Sequence, residues 1–378
     1  MIAAKPGLTM ILGAGVSQAL AVPGTATITA AVDAALVRYG PPYTNLRNRL
    51  HGRFKAHYSF ETLAAALEAC EPFGQPGFIP GAVYEAVGPE IAALRPGLTV
   101  DLARSMYEKL ISVLTQQVST DQTSPAGKPT RDALKRTFDE LARQHRLEIV
   151  TLNYDLTDEQ FIPEALDGFV GDGEYQTFDS RAFLLDDGRP RIAHLHGSLR
   201  FGTTETGSNF VKNTGTLTPR RVPLWRYRAD GSFYTGLITG EDKAGKLVLP
   251  PYSIYYAWLA ARLFASPRIV VAGYGIGDVH LNVWLANAAR HHTGADFRIV
   301  IVDLFDEGKA PDGTMQMFAF GAGFENGVNA EPALQNLKFE DGIAEHAGAM
   351  LVRTGMPLTT SQLARVTAFL APQIMSGA

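Results

Sequence analysis

The sequence predicts an α/β fold: a doubly wound, Rossmann-like parallel sheet with a large helical insertion. Three observations carry that prediction. After residue 145, short apolar and β-branched runs alternate with helical segments. The same strand–turn–helix pattern opens the chain, from Leu8 to Ser17. Between them lies residues 26–145, where apolar residues recur at helical spacing.

Leu8 to Leu12 reads as the first strand, and Gly13-Ala14-Gly15-Val16-Ser17 turns it into a helix start. Such a turn presents backbone N–H groups at a helix N-terminus, where the dipole favours phosphate and glycine lets a pyrophosphate approach. A tight turn without a ligand reads equally well from these five residues. The dehydrogenase fingerprint wants a third glycine where Gln18 and Ala19 stand. Helices follow at Ala26 to Tyr39, ended by Gly40-Pro41-Pro42, then Phe60 to Cys70, Leu102 to Val118 and Arg131 to His145. Pro72 to Gly81 and Asp121 to Thr130 read as loops. Leu147 to Leu152 and Ile192 to Leu195 read as strands. Residues 201–245 read as loops and short strands, an irregular insertion or flap. Lys246 to Leu249 reads as a strand and Ser253 to Phe264 as a helix. Arg268 to Ala272 and Phe297 to Val302 are buried parallel strands, separated by a helix from Val279 to Arg290. Met350 to Arg353 is the last strand, and Thr360 to Leu370 the last helix, stopped before Pro372. Residues 1–25 and 146–378 then form the Rossmann-like unit, with 26–145 as a helical insertion between its first two strands.

With 46% hydrophobic residues in 378, the chain can bury a substantial core. A net charge of -4 and the lack of any long basic run give no support to direct nucleic-acid binding. Arg220-Arg221, beside Pro219, reads as a solvated loop. The one cysteine, Cys70, excludes an intramolecular disulfide and a multi-cysteine zinc site. It fits a reducing compartment and reads as a small buried apolar residue. The longest apolar run, Ile254 to Phe264, is interrupted by Arg262. It falls short of the roughly 20 residues that span a bilayer. The expectation is a soluble cytoplasmic protein with no membrane segment.

Doubly wound sheets bind ligands beyond the carboxyl ends of their strands. Polar motifs at predicted strand ends should therefore meet in one cleft. Thr151-Leu152-Asn153-Tyr154-Asp155 offers turn formers, or groups placed for ribose hydroxyls. In His194-Leu195-His196-Gly197-Ser198, residues 194 and 196 share a face if extended, which would also suit a metal. The nearest acidic pair, Asp186-Asp187, runs into Gly188 and reads as a turn, so no metal is expected. His196, before Gly-Ser, is the candidate general base, and His194 its support. Gly273-Tyr274-Gly275-Ile276-Gly277-Asp278 offers a second glycine turn for the other half of a dinucleotide, or a plain loop with Asp278 as N-cap.

In this order, Gly-Ala-Gly-Val-Ser, Thr-x-Asn-x-Asp, His-Gly-Ser and Gly-Tyr-Gly-x-Gly-Asp resemble the sirtuin superfamily. The sequence is most similar there to the bacterial sirtuin-like NAD hydrolases of anti-phage defence. The resemblance covers residues 8–24, 148–155, 191–198 and 268–282. It implies that NAD is the substrate and that Gly13, Ala14, Gly15, Ser17 and Thr151 belong to its binding site. It implies that Asn153 and Asp155 orient the nicotinamide ribose, and that His196 acts as base toward a ribose hydroxyl or the attacking water. Gly273, Tyr274, Gly275 and Asp278 would line the adenosine side. Deacylase sirtuins carry a four-cysteine zinc module, which one cysteine cannot build. Here Ala21-Val22-Pro23-Gly24-Thr25-Ala26 keeps the family's Ile-Pro step as Val22-Pro23 but lacks its acidic and arginine elements. Both departures disfavour protein deacylation and favour NAD cleavage. Family members commonly form oligomers; some join a HerA-type hexameric ATPase, and others a short Argonaute or a Thoeris system. The resemblance thus implies a homo-oligomer controlled by a separate defence-system partner. The rival readings are a non-catalytic NAD or ADP-ribose sensor and a dehydrogenase, the latter weakened because Asp33 falls in a helix pattern rather than on a strand.

Overall fold

A strand that is apolar on both faces needs a layer of structure over each face. The runs identified above obtain those layers from helices that lie before and after them in the chain. The structure, a computed structural model, describes residues 5–70, 97–118, 127–155, 157–203, 210–215, 237, 247, 250–292, 297–306, 314–315, 317–318 and 337–371. Its elements begin with β1 (Gly7–Leu12), α1 (Ala14–Gln18), α2 (Thr25–Leu36), α3 (Pro41–Phe54), α4 (Phe60–Ala69), α5 (Val100–Val118) and α6 (Lys128–Gln144). Then follow β2 (Arg146–Thr151), α7 (Thr157–Phe161), β3 (Phe169–Val170), β4 (Tyr175–Phe178), α8 (Ser180–Leu184), β5 (Arg191–His194), β6 (Phe201–Thr203) and β7 (Phe210–Asn213). The chain continues through α9 (Tyr252–Ala265), β8 (Arg268–Ala272), α10 (Val279–His291), β9 (Arg298–Val302), β10 (Ile343–His346), β11 (Ala349–Val352) and α11 (Thr360–Leu370).

Seven strands form one sheet in the order β10-β11-β9-β8-β1-β2-β5. All neighbours run parallel except β10, which pairs antiparallel with β11. From β1 the chain steps outward to β2 and β5, then returns to β8 on the other side of β1. The order therefore reverses between β1 and β8, and a crevice opens at such a switch point. Successive residues bury against opposite layers. Ile11, Val150, Val271 and Ile301 pack with α9 and α10, while Met10, Leu12, Ile149 and Val270 pack with α6 and α11. Thr359 and Gln362 close a reciprocal capping box at the start of α11.

The helical block divides. Helices α2 to α5 surround a core of their own, built on Val32, Leu46, Leu63, Tyr107 and Leu110. Helix α6 instead sends Leu134, Phe138 and Leu141 into the sheet's core, where Phe138 stacks on Phe161. It is the crossover helix that a parallel β1–β2 pair requires. Gly40-Pro41-Pro42 does end one helix, but it also begins the next. Gly40 turns at φ +66 and Pro41 takes the first position of α3, where its missing N–H costs nothing. The period reading passed over α3. It also passed over β3, β4 and β10, which are two to four residues long. Strands β6 and β7, within the stretch expected to hold loops and short strands, join β3 and β4 in a second, antiparallel sheet. The expected strand at Lys246 to Leu249 lies outside the described residues except Leu247, which is helical. The loop at Pro72 to Gly81 also lies outside them, as do residues 121–126 of the loop expected at Asp121 to Thr130 and Arg220-Arg221; residues 128–130, read as loop, instead form the first turn of α6. Among the described residues no helix is long and apolar enough to cross a membrane. Cys70 is buried, with its Sγ 3.2 Å from the Ala66 carbonyl.

Phe138→Ala should cost about 3–5 kcal/mol in a denaturant titration, because the ring is buried where α6 meets the sheet. A loss under about 1 kcal/mol would place α6 outside that core. His145, between α6 and β2, is buried with neither ring nitrogen hydrogen-bonded. Burial, with Arg268 adding to it, pushes its pKa down to about 4 from 6.5. Between those values the unfolded chain binds a proton that the folded chain refuses, so stability falls as pH drops. From pH 7 to pH 5 the protein should lose at most about 2 kcal/mol through this group. Urea titrations of the wild type and His145→Asn at both pH values measure it, and an equal pH dependence in the two would refute it.

Candidate active site

Three parallel strands, β1, β2 and β8, and the turn after β5 deliver their polar ends to one cavity of about 350 Å³. Ligand pockets run from roughly 300 to 1,000 Å³, so this is a small one. Its sheet side is lined by Gly13, Ala14, Ser17, Asn153, Asp155, His196, Gly273, Tyr274, Gly275 and Asp278. Of the residues singled out in the sequence for this site, Gly15, Thr151 and His194 do not line it.

The glycines do different work from that expected. The loops after β1 and β8 cross at backbone contact: Gly13 N–H donates to the Ala272 carbonyl and Gly15 N–H to the Gly273 carbonyl, each at 2.9 Å. A Cβ on Gly13 would lie 2.5 Å from the Gly273 oxygen, and one on Gly15 would lie 2.7 Å from the Gly273 Cα. The neighbouring loop thus requires glycine at position 15 whether or not a ligand is bound. The helix that follows has only five residues, too short to build the macrodipole that the sequence reading invoked. Thr151 is wholly buried, and its hydroxyl accepts from the Asn153 N–H at 3.2 Å. It shapes the turn that presents Asn153.

Asn153 locks the first loop to the second strand. Its Nδ2 donates to the Gly13 carbonyl at 3.1 Å and to Ser17 Oγ at 3.0 Å. Asn153, Asp155 and His196 are all buried at the cavity wall. Beyond β5 the chain turns, with Gly197 N–H donating to the His194 carbonyl and Gly197 at φ +81. That turn ends strand alternation, so His194 and His196 do not share a face. His196 Nε2 lies 2.8 Å from Asp278 Oδ2. Asp278, expected on the adenosine side, is thus the histidine's partner. The N-cap reading also holds, because Asp278 Oδ1 accepts from the N–H groups of His280 and Leu281 at the start of α10.

His194 points instead into a sealed polar cluster. Its ring is fully buried without a hydrogen bond, and Nε2 stands 3.6 Å from Glu159 Oε1. Burial lowers its pKa. Lys212 Nζ lies 2.5 Å from Asp167 Oδ2 and 3.1 Å from Glu159 Oε2, supplying the counter-charge for both carboxylates. The acidic groups acting on this histidine are Glu159, Asp167 and Asp155. Asp186 and Asp187 accept backbone N–H bonds in a turn, as expected.

Val22, Pro23, Thr25, Ile28, Phe60, Glu61 and Val118 form the opposite wall. Tyr154 joins the two walls, its hydroxyl donating to Glu61 Oε1 at 2.9 Å. Sequence reasoning missed Phe60 and Glu61, since an apolar residue and an acid in a first helical turn are ordinary helix features.

Residues 147–313 match the SIR2-like domain family. That span holds Asn153, Asp155, His196 and the Gly273 to Asp278 loop. The Gly13 loop lies before the matched span. Solved structures similar to the chain include a Sir2 homologue in complex with NAD, at 14% identity and TM-score 0.39, covering 86% of this chain and 90% of that one. A Sir2 homologue mutant in complex with ADP-ribose matches at 14% identity and TM-score 0.41, covering 88% of this chain and 94% of that one. Comparison with curated proteins finds no match.

Gly273 sits at φ +59, and a Cβ there would lie 2.5 Å from the Val16 nitrogen. Gly273→Ala should therefore lower stability by about 2 kcal/mol or more, read as a drop in Tm. An unchanged Tm would contradict the close crossing of the two loops.

Proposed function

We propose that the chain is an NAD+ glycohydrolase, cleaving NAD+ to nicotinamide and ADP-ribose. One observation carries the proposal. Ser17, Asn153, Asp155 and His196, separated by up to 179 residues in sequence, line one cavity at the switch point of the sheet, and the last three fall in the span that matches the SIR2-like family. The carboxyl and imidazole groups on its described wall are Glu61, Asp155, His196 and Asp278. No lysine or arginine stands among the described lining residues. Such a lining favours positive charge. The reaction needs this, because breaking the bond between C1′ and the pyridinium nitrogen sends its electron pair to nicotinamide and leaves an oxocarbenium-like carbon. In this reading the Gly13 loop and Ser17 hold the pyrophosphate, and Asn153 and Asp155 fix the nicotinamide ribose. His196 takes the proton of the water that adds to C1′. No metal enters these steps. The family resemblance extends the reading to a biological role. NAD+ depletion would serve anti-phage defence, with the chain acting as a homo-oligomer under a partner such as a HerA-like ATPase.

Purified protein, with any activating partner supplied, should release nicotinamide from NAD+. Asn153→Ala and His196→Ala should each lower the rate by about 100-fold or more. Turnover in both variants at the wild-type rate would sink the assignment. Binding of NAD+ or ADP-ribose without turnover under every condition would turn the reading into that of a sensor.

A further inference from the structure

We propose that Asp278 is a positioning residue that holds the His196 ring with its proton on Nε2, so that Nδ1 carries the lone pair that accepts a proton in the reaction. This rests on the hydrolase reading for its catalytic half; the tautomer stands by itself.

The argument begins with the carboxylate. An ionised Asp has acceptor sites only, and Oδ2 is 2.8 Å from His196 Nε2. Nε2 must then be the donor. A neutral imidazole has one N–H, so the lone pair falls to Nδ1. The other carboxylate oxygen is fixed as firmly. Oδ1 accepts from His280 N at 2.9 Å and from Leu281 N at 3.1 Å, which caps a helix of 13 residues. The backbone on either side is held too, since Asp278 N–H donates to the Tyr274 hydroxyl at 2.8 Å. Rotating the carboxylate away from His196 would therefore break the helix cap. Both side chains are largely shielded from water, at 9% and 3% exposure, so the contact gains from low local dielectric. On the protein side the Tyr154 ring stands beside the imidazole, with centroids 6.4 Å apart.

A helix cap thus serves as the orienting group of a base, and the two duties can be separated by substitution. Asparagine and serine cap helices about as well as aspartate. Asp278→Asn keeps an oxygen for the cap but turns an amide N–H₂ toward Nε2, which forces the ring proton to Nδ1. Asp278→Ser keeps a capping hydroxyl but leaves Nε2 without the carboxylate. Both variants should fold with a near-wild-type Tm and bind NAD+ with KM within about threefold, while kcat falls about 100-fold or more. Nitrogen-15 spectra of the ring should show Nε2–H in the wild type and Nδ1–H in Asp278→Asn, a change that a purely structural role would not produce. A wild-type ring protonated on Nδ1 overturns the proposal whether or not the protein hydrolyses NAD+. So does kcat within about threefold of wild type in both variants. An absence of NAD+ turnover in the wild type, with Nε2–H observed, defeats the hydrolase reading and leaves the tautomer assignment in place.

Discussion

The structure turns on the backbone crossing of two loops, one after β1 and the other after β8. Neither Gly13, Gly15 nor Gly273 has room for a side chain, and Gly273 adds a left-handed backbone that other residues adopt only at a cost. The crossing lies where strand order reverses, so it sets the floor of the crevice that such a reversal opens. Two polar groups of the site are placed from this floor. Asn153 hydrogen-bonds the first loop, and Asp278 ends the second while holding His196.

The second wall comes from a different core. Helices α2 to α5 pack among themselves, yet Val22, Ile28, Phe60 and Glu61 line the same cavity as Asn153, Asp155 and His196. The bond from Tyr154 to Glu61 spans the two walls, and Tyr154 also packs into the helical core. Any shift of that helical unit would move Tyr154, which lies between Asn153 and Asp155 in the chain. The cavity is therefore a joint product of two cores.

The two histidines of the third motif show how one turn separates chemistry from support. Two residues apart, they differ because β5 ends at His194 and the turn closed by the Gly197 N–H carries His196 away from the strand. His196 gains a carboxylate and a place on the cavity wall. His194 lies in a buried cluster where desolvation lowers its pKa and Lys212 balances Glu159 and Asp167. That cluster also ties the small antiparallel sheet, through β7, to the end of β5.

The sequence by itself determined the layered α/β architecture. Apolar runs such as Arg268 to Ala272, punctuated by glycine turns and separated by helical periods, admit few other arrangements. It also marked most of the cavity's sheet side, because polar residues at parallel strand ends have one common exit. Pairwise geometry was beyond it. Spacing cannot tell a glycine that meets a ligand from one that meets another loop, so the contact of Gly15 with Gly273 was out of its reach. It cannot say that an N-cap at residue 278 reaches a histidine 82 residues earlier, or that Glu61 crosses from a separate core. Strands as short as Phe169–Val170 leave no period to read. Local patterns record what each segment prefers, and only the tertiary fold decides which segments touch.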